Sequence, residues 1–294
     1  MKIIVTHDSP DMDAVTSVWL IKRFLPNWEN AKVEYVPAGE RLNGSKNPPL
    51  AAIEKIKDDE IIHVDTGLGP LDHHETSDDK VCAASRTWDF VKVQNSGFAD
   101  LSDKVTKKIE ALDRIVRVVV DIDHFKEALW PNPSADYFEF FLENILEGLK
   151  VQKPNQNELY TKFIMDCLDA LLYNFENRVW AEEEIKKAER FKTSKGEGLG
   201  FEIINDSAVK LAQRMGYVLV IRRDPRKGYV RIKARPDSGI DLTPVYEQLK
   251  KMDPDATWFL HVSKKMLLNG SAKNPKMRPT KLKLSDIINV LKSL

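Results

Sequence analysis

The chain has 294 residues, 42% of them hydrophobic and 31% charged, with 45 basic and 45 acidic side chains. That length implies two domains of roughly 150 residues, and no run is long and apolar enough to span a membrane. Two distant cysteines, Cys82 and Cys167, lack any CxxC spacing, which argues against a disulfide framework or a cysteine-based zinc site. The zero net charge conceals a division. Residues 1–150 carry 18 Lys/Arg against 27 Asp/Glu, whereas residues 201–294 carry 19 against 9. An acidic first half suits a cation site, and a basic last third suits a polyanion. The chain runs directly into a strand, so no signal peptide and a reducing, cytoplasmic location are expected.

Lys2 to His7 predicts a strand, and HDSPDMD a turn, since Ser9 before Pro10 is disfavoured in helix. From Asp13 to Leu25 the spacing of Ala14, Val15, Val18, Trp19, Ile21 and Leu25 predicts an amphipathic helix. Lys32–Pro37 is expected as a second strand, Gly39–Pro49 as a loop, Ala51–Lys57 as a short helix and Ile61–Asp65 as a third strand. This alternation implies a parallel sheet covered by helices. Helices are expected at Ala83–Val93 and Lys104–Asp123, the second with Leu112, Ile115 and Val116 on one face. Trp130-Pro131-Asn132-Pro133 interrupts, and helix resumes over Tyr137–Leu149.

The polar run at 153–157 marks a boundary, and Glu158–Phe191 reads as a long amphipathic connector. Beyond it come a strand, GFEIIN, a helix over Ser207–Met215, and a hairpin turning at Asp224–Gly228. A helix over Thr243–Met252 has Pro244 at its first position. A strand over Thr257–Val262 and a closing helix over Leu284–Leu294 complete the chain. The fold class is α/β: an N-terminal parallel-sheet domain (1–152), a helical connector (153–197) and a smaller C-terminal α/β domain (198–294).

Two strands end next to metal-ligand side chains. The first is followed by His7, Asp11 and Asp13, the third by Asp65, Asp72, His73 and His74. Carboxylate and imidazole hold Mn, Zn or Fe at neutral pH, and open α/β sheets bind ligands at their carboxyl ends. One site assembled from both segments is therefore expected. Two divalent cations about 3.5–4 Å apart activate water and neutralise a phosphoryl group. Such a pair needs several carboxylates, one of them bridging, and neutral imidazoles. His63 reads instead as a satisfied strand histidine, and Glu75 and Asp78 as solvated charges.

HDSPDMDA resembles the HxxxDxDA opening motif of the DHH phosphoesterase superfamily, the RecJ-like group, and VDTG with LDHH resembles its second and third motifs. The match covers roughly the first 125 residues and is most similar to the MYG-type, exonuclease-like branch. The resemblance implies two divalent metal ions, manganese foremost, with Mg, Co or Zn as alternatives. One would be held by His7, Asp11 and Asp65, the other by Asp13, Asp65, His73 and a fourth-motif aspartate. Asp121, which ends an apolar run, is favoured for the last place, with Asp123 as the alternative. His74, with Asp72 beside it, takes the catalytic role and faces the substrate phosphate.

The resemblance also implies a substrate-gripping C-terminal domain. Its arginine corresponds to Arg235. No GGGH-like segment is present, and His261, Ser263, Lys264, Asn269, Gly270 and Ser271 occupy its place as phosphate donors. The expected activity is metal-dependent hydrolysis of short single-stranded RNA or DNA in a cleft between the domains, with no membrane partner. The alternatives are a small-molecule phosphohydrolase acting on pyrophosphate, polyphosphate, a cyclic dinucleotide or a small nucleotide, and a non-catalytic nucleic-acid-binding protein.

Overall fold

Ile3, Ile4 and Val5 are apolar on both faces, the pattern of a strand buried from two sides, and they lie inside the first sheet. The computed structural model describes residues 1–42, 50–270, 274 and 276–294. It divides into two compact units, Met1–Glu176 and Asn177–Leu294. The first contains β1 (Lys2–His7), α1 (Met12–Phe24), β2 (Lys32–Val36), β3 (Glu54–Ile56), β4 (Asp59–His63), α2 (Ala83–Gln94), α3 (Asp103–Asp123) and α4 (Leu142–Gln152). Helix α5 (Asn157–Lys187) begins in it and ends in the second.

The first sheet has the order β2-β1-β4-β3. Strand β1 runs parallel to both neighbours, placing Ile4 beside Val33 and Ile62. Against it packs a core drawn from α1 (Val15, Trp19), α2 (Ala84, Trp88), α3 (Leu112, Val116) and α5 (Tyr160, Ile164, Leu168).

Three expectations are corrected here. The short helix expected over Ala51–Lys57 is replaced by β3, which pairs antiparallel with β4, so the sheet is mixed rather than parallel. The chain reverses at Lys57, whose φ of 57° lies in the left-handed region and ends any helix. The helix expected over Tyr137–Leu149 splits into a 3₁₀ turn, Asp136–Phe140, and α4, because Phe141 between them is extended. Third, the connector helix stops at Lys187. Phe191 belongs to a strand, with its ring lying where a Cβ on Gly198 would fall.

The second unit continues with β5 (Glu189–Thr193), β6 (Gly196–Glu202), α6 (Ser207–Arg214), β7 (Leu219–Arg223), β8 (Val230–Ala234), α7 (Thr243–Met252), β9 (Phe259–Leu260), β10 (Met266–Asn269) and α8 (Leu284–Leu291). Its sheet order is β5-β6-β7-β8-β10-β9, with only β6 and β7 parallel. Helices α7 and α8 pack with Ile221, Ile232 and Leu267 on one face. Helix α6, with Ala181 and Ile185 of α5, packs with Leu199, Phe201 and Val220. The expected Thr257–Val262 strand shortens to two residues and turns back through β10, which ends on Asn269, one of the expected phosphate donors.

Candidate metal centre

The ends of β1 and β4 lie side by side, and each delivers one half of the centre. His7 closes β1. The turn after it is pinned by Asn157 at the start of α5, whose side chain accepts from Ser9 N (2.9 Å) and donates to Asp8 Oδ1 (2.8 Å). Asp11 is the N-cap of α1 and accepts from Ala14 N at 3.0 Å. Its reading as a cap therefore holds, and its other oxygen, Oδ2, stays free to face His7. Asp13, buried in the first turn of α1, accepts from Ala83 N (2.8 Å) and Ala84 N (2.6 Å), so it also caps the start of α2.

After β4 the chain bends at Asp65, which has a φ of 52°. The loop beyond is gathered by Asp72, which accepts from Leu68 N (2.7 Å), His74 N (3.1 Å) and His74 Nδ1 (2.7 Å). Buried Arg41 donates to Gly67 O (2.9 Å) and pairs with Glu54, while His63 contacts both Glu54 (2.8 Å) and Arg41 (3.2 Å). His63 is thus a satisfied residue supporting the loop from beneath.

Asp65 joins two groups. Its Oδ2 lies 3.2 Å from His7 Nε2, which is 3.8 Å from Asp11 Oδ2. Its Oδ1 lies 3.6 Å from His73 Nε2, which is also 3.6 Å from Asp13 Oδ2 and from Asp123 Oδ2. Asp65 Oδ1, His73 Nε2 and Asp123 Oδ2 are buried and have no hydrogen-bond partner. Buried polar atoms are rarely left unpaired. The three meet at His73 and fit a divalent cation of the Mn, Mg or Zn kind. Among the described residues, the side-chain groups close enough to hold an ion are His7, Asp11 and Asp65; Asp65, His73 and His74; and His73, Asp123 and His124.

The charges agree with this. Burial first, then Asp65 and Asp123, pushes the Asp13 carboxyl well above its usual range. Burial and Asp65 raise Asp11. Burial raises Asp123, with Asp65 and Asp11 adding and His73 opposing. The Asp65 carboxylate lifts His73 to about 9 against the effect of burial. Burial likewise opposes the rise of His7 to about 9, which Asp65, Asp11 and the Asp8 carbonyl produce. Asp65 itself, despite burial, is held low by His7 and His73. Carboxylates are crowded and imidazoles hold protons, a state that a bound cation relieves. Buried Cys82 touches Asp13, and burial raises its thiol far above the usual range, so it stays protonated.

His7, Asp11, Asp13, Asp65 and His73 come together as expected, and Asp123 joins them. The preference for Asp121 is corrected. It lines a surface cavity with Trp88, Lys80 and Lys126 instead. On a helix two residues are about 200° apart, and Asp123 continues the core-facing stripe of Leu112, Val116, Val119 and Val120. That i, i+3, i+4 spacing was the available signal. Asp72 is corrected from a catalytic to a positioning residue, being buried and spent on the loop and on His74. His124, overlooked in the sequence, sits beside Asp123 and is tied to Val81 O at 2.9 Å.

In the second unit, Arg235 pairs with Asp237 (2.9 Å), Lys264 with Asp241 (3.2 Å) and His261 with Ser263 (2.8 Å). Asn269 is corrected. It is fully buried and holds Thr257 O, Arg278 O and Thr280 N, so it knits loops rather than facing solvent. Gly270, at φ 81°, makes its close approach to the Tyr229 ring, which lies where a Cβ would stand. Ser271 lies outside the described residues.

No family model matches the chain, and no curated protein matches it. Among solved structures it is similar to an uncharacterized protein from Helicobacter pylori G27, with 16% identity, 99% of each chain covered and a TM-score of 0.25. A likeness at that score carries no argument about function.

Proposed function

We propose that this chain is a metal-dependent phosphoesterase that hydrolyses phosphodiester bonds in short single-stranded nucleic acid, from an end, with water as the nucleophile. The observation that supports this most is Asp65, whose two carboxylate oxygens face two different histidines, each beside further carboxylates. That is the arrangement of a bridging ligand. His7, Asp11 and Asp65 would hold one cation, and Asp13, Asp65, His73 and Asp123 the other. Two divalent cations held there would lower the pKa of water and neutralise a phosphoryl oxygen. The residues do the rest. Asp72 takes up Nδ1 of His74, whose ring is 60% exposed, leaving Nε2 as the nitrogen available to a substrate phosphate. Nothing in this chemistry requires a side-chain nucleophile. The basic C-terminal third suits the phosphate backbone.

The test is product release in manganese buffer from a five-nucleotide RNA and DNA, a circular single strand, cyclic di-AMP, pyrophosphate and an aryl phosphodiester. Stepwise mononucleotide loss from the linear strands, abolished by Asp65→Asn and His73→Ala, is expected. Equal cleavage of circular and linear strands would sink cleavage from an end. Turnover of pyrophosphate or the cyclic dinucleotide alone would keep the centre and replace the substrate. No turnover and no metal uptake would overturn the reading.

A further inference from the structure

The register of the second sheet places like charges together. Arg222 of β7 stands directly opposite Arg231 of β8, and Lys233 of β8 stands opposite Val220. All four therefore share one face. Exposed Lys210 of α6 is close enough to act on Lys233. Burial first, then Arg231 and Lys210, holds the Lys233 ammonium below its usual range. Like charges directly opposite in a sheet are destabilising. The carboxylates set against these four cations are Asp206 and, acting on Arg222, Asp224. Asp206 pairs with both arginines, its Oδ1 2.9 Å from Arg222 Nε. Arg222 is otherwise committed to Ile203 O and Ile204 O. Lys210 and Lys233 have no acidic partner among the described residues.

Among the described residues the same face is only half covered. Leu199, Phe201 and Val220 lie under α6 and α5. Continuing across the sheet, Lys233 is opposite Met266, Arg231 is opposite Leu268, and Leu268 is opposite Phe259. Among the described residues, Met266, Leu268 and Phe259 belong to none of the hydrophobic cores, and Phe259 is 48% exposed. The uncovered half-face thus carries cations about 7 Å apart along β8, with an aromatic ring two strands away.

We infer that this half-face, centred on Lys233 and Arg231 with Lys210 and Phe259 at its margins, is a binding surface for single-stranded nucleic acid. Its cations meet successive phosphates, and Phe259 stacks a base. Open sheets take single strands with this combination of basic groups and exposed aromatic rings, and a polyanion relieves the like-charge crowding. The choice of nucleic acid among polyanions rests on the phosphoesterase reading. Arg235, His261 and Lys264 have local partners of their own.

The test is fluorescence anisotropy of a labelled single-stranded dodecamer in EDTA, where no metal-dependent turnover occurs, across a salt series. Lys210→Glu with Lys233→Glu is expected to weaken binding about tenfold or more at low salt. It should also reduce the slope of log affinity against log salt by about 1.4, two phosphate contacts at roughly 0.7 each. Phe259→Ala is expected to weaken binding without changing the slope. Lys250→Glu, on α7 against the opposite face, makes the same kind of charge change and should leave binding in place. Circular dichroism confirms that each variant is folded.

Wild-type affinity and slope retained in the double variant, or no binding by the wild type, would overturn the inference. Tighter binding to phosphatidylserine-containing vesicles, lost in the same variants, would overturn the choice of nucleic acid. Hydrolysis of the aryl phosphodiester by the wild type is scored separately. Binding without hydrolysis removes the phosphoesterase reading and leaves the surface. Hydrolysis with binding unaltered by the substitutions does the reverse.

Discussion

Asp65 adopts a left-handed backbone that costs a non-glycine residue of order 1–3 kcal/mol, and such strain gathers at functional sites. The bend lets one carboxylate reach both His7 and His73. Asp65→Asn is expected to reduce metal content at both positions. Asp123→Asn should weaken metal binding at least tenfold, whereas Asp121→Asn should leave it unchanged, measured by elemental analysis after equilibrium dialysis. Protonation gives an independent test. His7 and His73 rise to about 9 in the metal-free protein, so a cation must displace protons at neutral pH. Metal affinity is expected to climb from pH 6 to 9, with proton release visible by calorimetry in buffers of different ionisation enthalpy. In the metal-free protein the sign is opposite. The stabilisation contributed by these two histidines is complete below their ordinary value of 6.5 and is lost as pH rises through about 9. A metal affinity independent of pH would contradict this account.

Elements position these side chains by their ends. Strand β1 delivers His7, the first turn of α1 delivers Asp11 and Asp13, and the last turn of α3 delivers Asp123. The hydrophobic spacing made α1, α2, α3, α6 and α7 legible in the sequence, because each buries one stripe. It did not make β3, β5 or β10 legible. These are short strands whose pairing is settled by partners distant in sequence. Asn269 shows the consequence. In the sequence it is a donor in a glycine-containing segment; in the fold it ends β10 and holds three backbone groups. Asn269→Ala is expected to destabilise the second unit by about 1–3 kcal/mol, through backbone groups left unsatisfied. Urea unfolding would show the loss, with metal content unchanged. Equal stability would return Asn269 to the list of substrate donors.

The whole molecule divides its charges at its structural boundary. Residues 1–176 carry 20 basic and 31 acidic side chains, and residues 177–294 carry 25 and 14. Each unit has its own apolar core. Metal should therefore stabilise one core only. At a hundredfold excess of cation over its dissociation constant the gain is about 2.7 kcal/mol per site. Calorimetry is expected to show one transition raised by manganese and lowered by EDTA, with Asn269→Ala shifting the other.

The sequence by itself determined the α/β class, the helices with one buried stripe, and five of the side chains that gather at the candidate centre, because side-chain chemistry and helical spacing are both local. Only the tertiary structure placed Asp123, and not Asp121, beside His73. It also turned Asp72 and Asn269 into supports, and gathered Arg222, Arg231 and Lys233 on one sheet face. Those outcomes depend on helix rotation, strand register and burial, which residues far apart in the chain fix together.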